Sequence, residues 1–356
     1  MFKLFQRKSS HRILLMLMIT GCLVVTSVLY GCKTYSIRDR QGRAEQRTVS
    51  GQGNDQTYQI RDRQGRAEQR TVRSQGIDRT YRLYTPASYD ADTAQPLVIV
   101  FHGGHGTGSE LGNRIGMDEI ADREAFLTSF PDAAGDRHWN DGRPTTKSGV
   151  DDKAFVRAMI DDIKRYRNID TDRVYVAGIS NGGSFVARLA CELSDQFAAY
   201  AQVASTMSVE LASSCKPSVP VSIMMINGTD DPLVRWEGGE LRKSGKMGKG
   251  GKVIGVEQAI NFWASHDKCN NPPDRTMLDD RDLTDGTRVK KEQYKKCLAH
   301  TEVVLLEVEG GGHTWPGSPE IKRIKRTVGN TSNDINASEV IWGFFKRHTL
   351  IHSPNK

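Results

Sequence analysis

The stretch Val174-Tyr175-Val176-Ala177-Gly178-Ile179-Ser180-Asn181-Gly182-Gly183 decides the fold. An apolar run ends in a G-x-S-x-G turn, and an amphipathic segment, 183–193, follows at once. That order predicts a strand, a sharp elbow and a helix, the geometry that lifts a serine Oγ above the end of a sheet. Gly178 and Gly182 fit because so tight a turn leaves no room for Cβ atoms. A glycine-rich turn with a capping serine would look the same locally, so the reading depends on the rest of the chain.

Outward from the elbow, strand and helix patterns alternate. Tyr81-Arg82-Leu83-Tyr84 alternates as an opening strand, and Leu97–Phe101 is the continuous apolar run of a strand buried on both faces. Phe126–Phe130 is a short strand closed by Pro131. Asp151–Tyr166 carries Phe155, Met159 and Ile163 on one stripe, with two aspartates at its start where carboxylates favour the helix dipole. Arg173–Ala177, Val219–Ile226 and Glu302–Val308 read as strands, and Val256–His266 and Ala337–Arg347 as helices. The alternation predicts an α/β layer fold over residues 78–348, mostly parallel in its sheet, with helices on both faces and a short tail at 349–356.

A serine hydroxyl needs a base to take its proton, and the base needs an acid to hold its tautomer. After the strand Val219–Ile226 comes Asn227-Gly228-Thr229-Asp230-Asp231-Pro232, where either aspartate can serve. After Glu302–Val308 comes Gly310-Gly311-Gly312-His313-Thr314-Trp315-Pro316-Gly317, a loop that presents His313. Ser, acid and His thus fall in order at three strand ends. Phe101-His102-Gly103-Gly104-His105-Gly106 follows another buried strand, and its backbone N–H groups, with that of Asn181, suit a developing oxyanion. His102 and His105 lack a carboxylate or Cys partner nearby in sequence, so metal catalysis is not expected. No cofactor is implied.

Together Tyr81–Tyr84, Leu97–Gly104, Trp139-Asn140, Val150-Asp151-Asp152, Gly178–Gly183, Gly228–Val234 and Gly311–Gly317 resemble the polyhydroxybutyrate depolymerase and feruloyl esterase family. These are secreted α/β-hydrolases near carbohydrate esterase family one. Gly329–Ser332 and Asn336–Phe345 resemble its C-terminal part, so the likeness covers about residues 79–348. The resemblance implies Ser180 as nucleophile, His313 as base, Asp231 rather than Asp230 as acid, Gly104 and Asn181 as oxyanion donors, and Trp139 and Trp315 as walls of the acyl pocket. Many relatives carry a Cys pair just after the Trp-Asn motif, whereas Arg143–Ser148 has none, so the substrate loop differs here.

The termini concern location. Lys3, Arg7, Lys8 and Arg12 precede an uncharged apolar run, Ile13–Tyr30, the two parts of a secretory signal. The run ends in Leu29-Tyr30-Gly31-Cys32, which resembles a bacterial lipobox with Cys32 as the lipidated residue, although Tyr30 stands where a small residue is usual. A rival ends at Cys22, and an uncleaved membrane anchor is the other reading. Residues 33–77 hold a perfect repeat, Ile-Arg-Asp-Arg-Gln-Gly-Arg-Ala-Glu-Gln-Arg-Thr-Val, at Ile37–Val49 and again at Ile60–Val72. Poor in large apolar residues, this segment is expected to be a solvated, disordered tether. The net charge of +7 resides in these flanks. Residues 78–356 are slightly acidic, which excludes a composition-driven nucleic-acid partner. Outside the signal region four Cys remain: Cys191, Cys215, Cys269 and Cys297. An even number in an exported chain suggests disulfides, and sequence proximity with the resemblance favours Cys191–Cys215 and Cys269–Cys297 among three possible pairings.

The expectation is an exported serine esterase, held at the cell envelope by an N-terminal lipid or anchor. It would act on hydroxyalkanoate oligomers or on feruloyl or acetyl esters of polysaccharide. The competing readings are a non-catalytic envelope-binding lipoprotein and a peptidase on the same fold.

Overall fold

The computed structural model describes residues 65–146, 149–241, 250–320 and 322–352. In chain order the elements are β1 (Arg66–Ser74), β2 (Ile77–Thr85), β3 (Gln95–Phe101), α1 (Gly108–Ile115), α2 (Met117–Glu124), β4 (Leu127–Pro131), α3 (Asp152–Tyr166), β5 (Ile169–Ile179), α4 (Asn181–Glu192), β6 (Ala199–Val203), α5 (Val209–Ser214) and β7 (Ile223–Gly228). They continue with β8 (Gly239–Glu240), β9 (Lys252–Val253), α6 (Val256–His266), β10 (Asp274–Met277), β11 (Arg288–Tyr294), β12 (Val303–Glu309), α7 (Lys325–Val328) and α8 (Ala337–Phe345).

Among the described residues, ten strands form one sheet in the order β1-β2-β4-β3-β5-β6-β7-β12-β11-β10, and β8 pairs with β9. The central neighbours β4, β3, β5, β6, β7 and β12 are parallel. Their apolar runs are buried on both faces, as parallel strands require. One core layer carries Phe155 and Met159 of α3, Phe185 of α4 and Trp263 of α6. The other carries Leu111 of α1, Ile120 of α2 and Phe344 and Phe345 of α8. Helices therefore cover both faces, and the chain has the α/β-hydrolase architecture. Antiparallel hairpins flank the parallel centre, β1-β2 at one edge and β10-β11 at the other.

Local chemistry sets the element ends. Asp151 caps α3, its carboxylate accepting from Lys153 N and Ala154 N. The strand expected from Val219 begins at Ile223, because the Val221 N–H goes to the buried Asp267 carboxylate at 3.0 Å rather than to a neighbouring strand. Strand β6 lies in an alanine-rich stretch that carries little β signal by itself, and its neighbours β5 and β7 supply its place.

The tether reading is corrected at its C-terminal end. Within the expected disordered segment 33–77, Arg66–Ser74 is the edge strand β1, in register with β2 from Arg66↔Thr85 to Ser74↔Ile77. The folded domain therefore starts before residue 78. Alternate side chains of β1 dock through polar contacts in place of an apolar face. Arg70 Nε donates to Tyr81 OH at 3.0 Å and to Asp162 Oδ2 at 3.1 Å, and its guanidinium lies 4.1 Å over the Tyr166 ring. Glu68 accepts from Arg167 at 3.0 Å, and Val72 packs against the core. The signal run, Cys22, Cys32 and the first repeat copy lie outside the described residues.

Two disulfides close the fold, Cys191–Cys215 and Cys269–Cys297, the pairing favoured from sequence.

Candidate active site

Ser180 sits between β5 and α4 with φ 56° and ψ −125°. A non-glycine residue with positive φ is strained and persists only where its surroundings hold it. Here the Ser180 N–H donates to Val203 O of β6 at 2.9 Å, and its carbonyl accepts from Ser184 N. The elbow also presses against the loop after β3. A Cβ added to Gly182 would lie 2.4 Å from Phe101 O and 2.5 Å from His102 O, so glycine is required.

His313 arrives from the loop after β12. Its N–H donates to Val328 O, and the neighbouring Gly312 N–H donates to Asn330 O, so two rungs fix the loop. A Cβ on Gly312 would meet Val328 O at 2.0 Å, which accounts for a glycine directly before the histidine. His313 Nδ1 lies 2.8 Å from Asp231 Oδ2. Asp231 is buried at 3% exposure, and its other oxygen accepts from Leu233 N and Val234 N, both at 2.8 Å. The two backbone donors fix the carboxylate beside the imidazole. Asp230 is exposed, and Thr229 Oγ1 donates to it. Only Asp231 is thus paired with His313.

Ser180, His313, Gly104 and Asn181 line one cleft of about 740 Å³. Asn181 is the first residue of α4, so its N–H is one of the donors a helix start leaves without an intrahelical partner. Gly104 belongs to the loop after β3, which His102 braces. His102 Nε2 accepts from Ala133 N at 3.1 Å, so Nδ1 carries the proton donated to Gly103 O at 2.7 Å. Burial pushes its pKa below the ordinary value, in keeping with a neutral bracing role. Among the described residues no cluster of three His, Cys, Asp or Glu side chains is placed to hold a metal ion.

Residues 79–235 match the esterase PHB depolymerase family. The likeness read from the motifs is met by that family. Feruloyl esterase B of Piromyces equi is 29% identical over 233 residues, which are 64% of this chain and 41% of that protein. The putative esterase NocK of Nocardia uniformis subsp. tsuyamanensis is 27% identical over 272 residues, 73% of this chain and 76% of that protein. The chain therefore spans about two fifths of the fungal relative's length. Among solved structures, an acetyl xylan esterase from Aspergillus awamori is 12% identical, with a TM-score of 0.49 over 73% of this chain and 97% of that one.

The two tryptophans expected in the acyl pocket part company. Trp315 lines the cleft, with its Nε1 donating to Ser338 Oγ at 3.1 Å. Trp139 does not. It has 0% exposure, stacks on Phe185 and meets Phe101 edge-on, and its Nε1 donates to His102 O at 3.0 Å. Its side chain turns under the loop after β3 instead of into the cleft. Trp139 props the loop that carries Gly104.

The sequence reading missed Asp141 and Arg143. Arg143 Nε donates to both Asp141 oxygens at 3.1 and 2.9 Å, and its Nη1 donates to Gly250 O at 2.7 Å. Asp141 also accepts from Asn181 Nδ2 at 2.8 Å and Thr146 Oγ1 at 2.7 Å. Asn181 Oδ1 accepts from Trp139 N at 2.8 Å. A buried ionic network therefore joins the elbow to the loop that follows Trp139-Asn140. The signal was present in sequence as Asp141-Gly142-Arg143 beside the Trp-Asn motif, but an acid and a base in a loop usually read as solvated surface.

Proposed function

We propose that the chain is a serine carboxylic-ester hydrolase of the feruloyl or acetylxylan esterase type. The observation that carries this reading is the buried Asp231–His313 pair at 2.8 Å, sharing a cleft with Ser180 on a strained elbow. His313 Nε2 takes the Ser180 hydroxyl proton as Oγ attacks the ester carbonyl. Asp231 holds the productive tautomer and stabilises the imidazolium. The backbone N–H groups of Gly104 and Asn181 receive the oxyanion, and His313 returns the proton to the departing alcohol. Water then repeats the sequence on the acyl-enzyme, releasing acid and free Ser180. Every proton is carried by the chain's own residues.

Apolar walls from Ile179, Leu233 and Val234 suit an acyl group, and the polar side at Arg143 and Thr146 suits a hydroxylated alcohol. The curated relatives' names, a feruloyl esterase and a bifunctional acetylxylan esterase/xylanase, support ester groups on polysaccharide as substrates. Hydroxyalkanoate oligomers are the other class. The disulfides suit an exported chain, with an N-terminal lipid or anchor as its tie to the envelope.

The test is hydrolysis of methyl ferulate, an acetylated xylo-oligosaccharide and a 3-hydroxybutyrate trimer by the full chain and by Ser180→Ala. Activity on one of them that falls by at least about a thousandfold in the variant supports the mechanism. Equal activity in the variant, or none on all three, would favour the binding-lipoprotein reading. Turnover of peptides alone would indicate a peptidase.

A further inference from the structure

The cleft adjoins a second hollow. Ser318, Pro319, Glu320 and Thr331 line the cleft and also an adjoining space of about 400 Å³. Asp282, Thr284, Asp285, Lys325 and Asn333 supply most of the remaining wall. The junction is fixed from within the chain. Gly317 N–H donates to Ser332 O at 2.8 Å, and Ser318 N–H donates to Trp315 O at 3.1 Å. Thr287 Oγ1 donates to Ser332 Oγ at 2.7 Å, and Asn333 N–H donates to Asp285 Oδ2 at 2.7 Å. Ser318 and Thr331 are only 5% and 8% exposed, yet their hydroxyls have no partner among the described residues. A hydroxyl so nearly buried is costly to leave unpaired, so both call for a partner from the space they line.

The chemistry of the wall selects among ester substrates. The carboxylates of Asp282, Asp285 and Glu320 can only accept, whereas the hydroxyls of Ser318, Thr331 and Thr284 can do both. A hydroxyalkanoate chain carries ester oxygens along its length and a carboxylate at its end. It offers acceptors where this wall needs donors. A sugar ring offers hydroxyls that donate and accept, and Lys325, 2.7 Å from Glu320, keeps a second cation from being the better match. We propose that the hollow is a subsite for a neutral pyranose unit, the neighbour of the sugar that carries the ester. The inference rests on the esterase reading above and decides which of its substrate classes the cleft serves. His313 returns the proton to the departing alcohol, so the esterified sugar lies on the His313 side of the cleft. From there residues 315–320 lead into the hollow. A polysaccharide runs both ways from its esterified unit, past Arg143 and Thr146 in one direction and over Ser318 and Thr331 in the other.

The test uses full chains with Ser318→Ala, Thr331→Val, both together, and Thr331→Ser. The readout is kcat/KM on the faster of an acetylated and a feruloylated xylo-oligosaccharide, divided by kcat/KM on 4-nitrophenyl acetate, which has no sugar. The quotient cancels any loss of folded enzyme. It should fall at least about fivefold in the double variant and stay within about twofold of the parent in Thr331→Ser, which keeps the hydroxyl. The same quotient for the 3-hydroxybutyrate trimer should not fall. Titration calorimetry with xylohexaose on a Ser180→Ala background should show binding that weakens at least about fivefold when both hydroxyls are removed. An unchanged quotient in the double variant, an equal fall for the trimer, or no xylohexaose binding in the Ser180→Ala chain overturns the proposal. Failure to hydrolyse any ester, 4-nitrophenyl acetate included, would count against the esterase reading instead, and the calorimetry would still decide the subsite.

Discussion

At the scale of single residues, the adjacent aspartates provide a controlled comparison. Asp231→Asn keeps the shape at His313 but removes the charge that fixes its tautomer. We expect kcat to fall by about three to four powers of ten with KM little changed. Asp230→Asn, one residue away and exposed, should stay within about twofold. Initial rates of the two variants on one ester would decide, and equal losses would contradict the assignment. The tryptophans offer a second contrast. Trp139→Ala empties a fully buried site and should cost about 3–5 kcal/mol of stability, read by denaturant titration. Trp315→Ala, at a side chain that is buried yet lines the cleft, should lower stability as well and in addition raise KM. The motifs gave each residue's place in the chain but not the rotamer, and the rotamer is what separates a core prop from a pocket wall.

Elements were legible where a periodic pattern was strong. The helix over Asp151–Tyr166 and the strand over Leu97–Phe101 appear as α3 and β3 because their apolar spacing has one good solution. Strand β1 was not legible, because its partners, Asp162 and Arg167 among them, are charged groups nearly a hundred residues downstream. Local composition cannot announce a strand that is held by distant ion pairs. Just after α8, the chain holds a further pH-sensitive group. His348 is buried beside Ser222, with Glu302 and Arg347 nearby, and burial lowers its pKa from 6.5 to about 4. The unfolded chain therefore takes up this proton first as pH falls. The contribution is complete above pH 6.5 and is lost progressively toward pH 4. His348→Gln should flatten the fall in Tm between those pH values relative to the parent. Parallel melting curves would refute this.

Over the whole molecule, the sheet's parallel centre and the strand ends that carry Ser180, Asp230-Asp231 and His313 were readable, because each strand has its own strong signal, whereas the choice of Asp231 over Asp230 came from the family resemblance and not from the pattern. The network that joins the elbow to the loop after Trp139-Asn140 was not readable, because it is assembled from Asp141, Arg143, Asn181 and Gly250, which come together only in the folded domain. Asp141 has 0% exposure, so Asp141→Ala leaves the buried Arg143 guanidinium without its carboxylate. A loss of about 3–5 kcal/mol follows, measured by denaturant titration, with a rise in KM. The same clamp separates the redox behaviour of the site from that of the scaffold. Dithiothreitol can cut Cys191–Cys215 and Cys269–Cys297, yet the loop beside Ser180 contains no sulfur bond to cut. A reducing medium would lower the melting temperature while the cleft, held by charge, keeps its grip on substrate below that temperature.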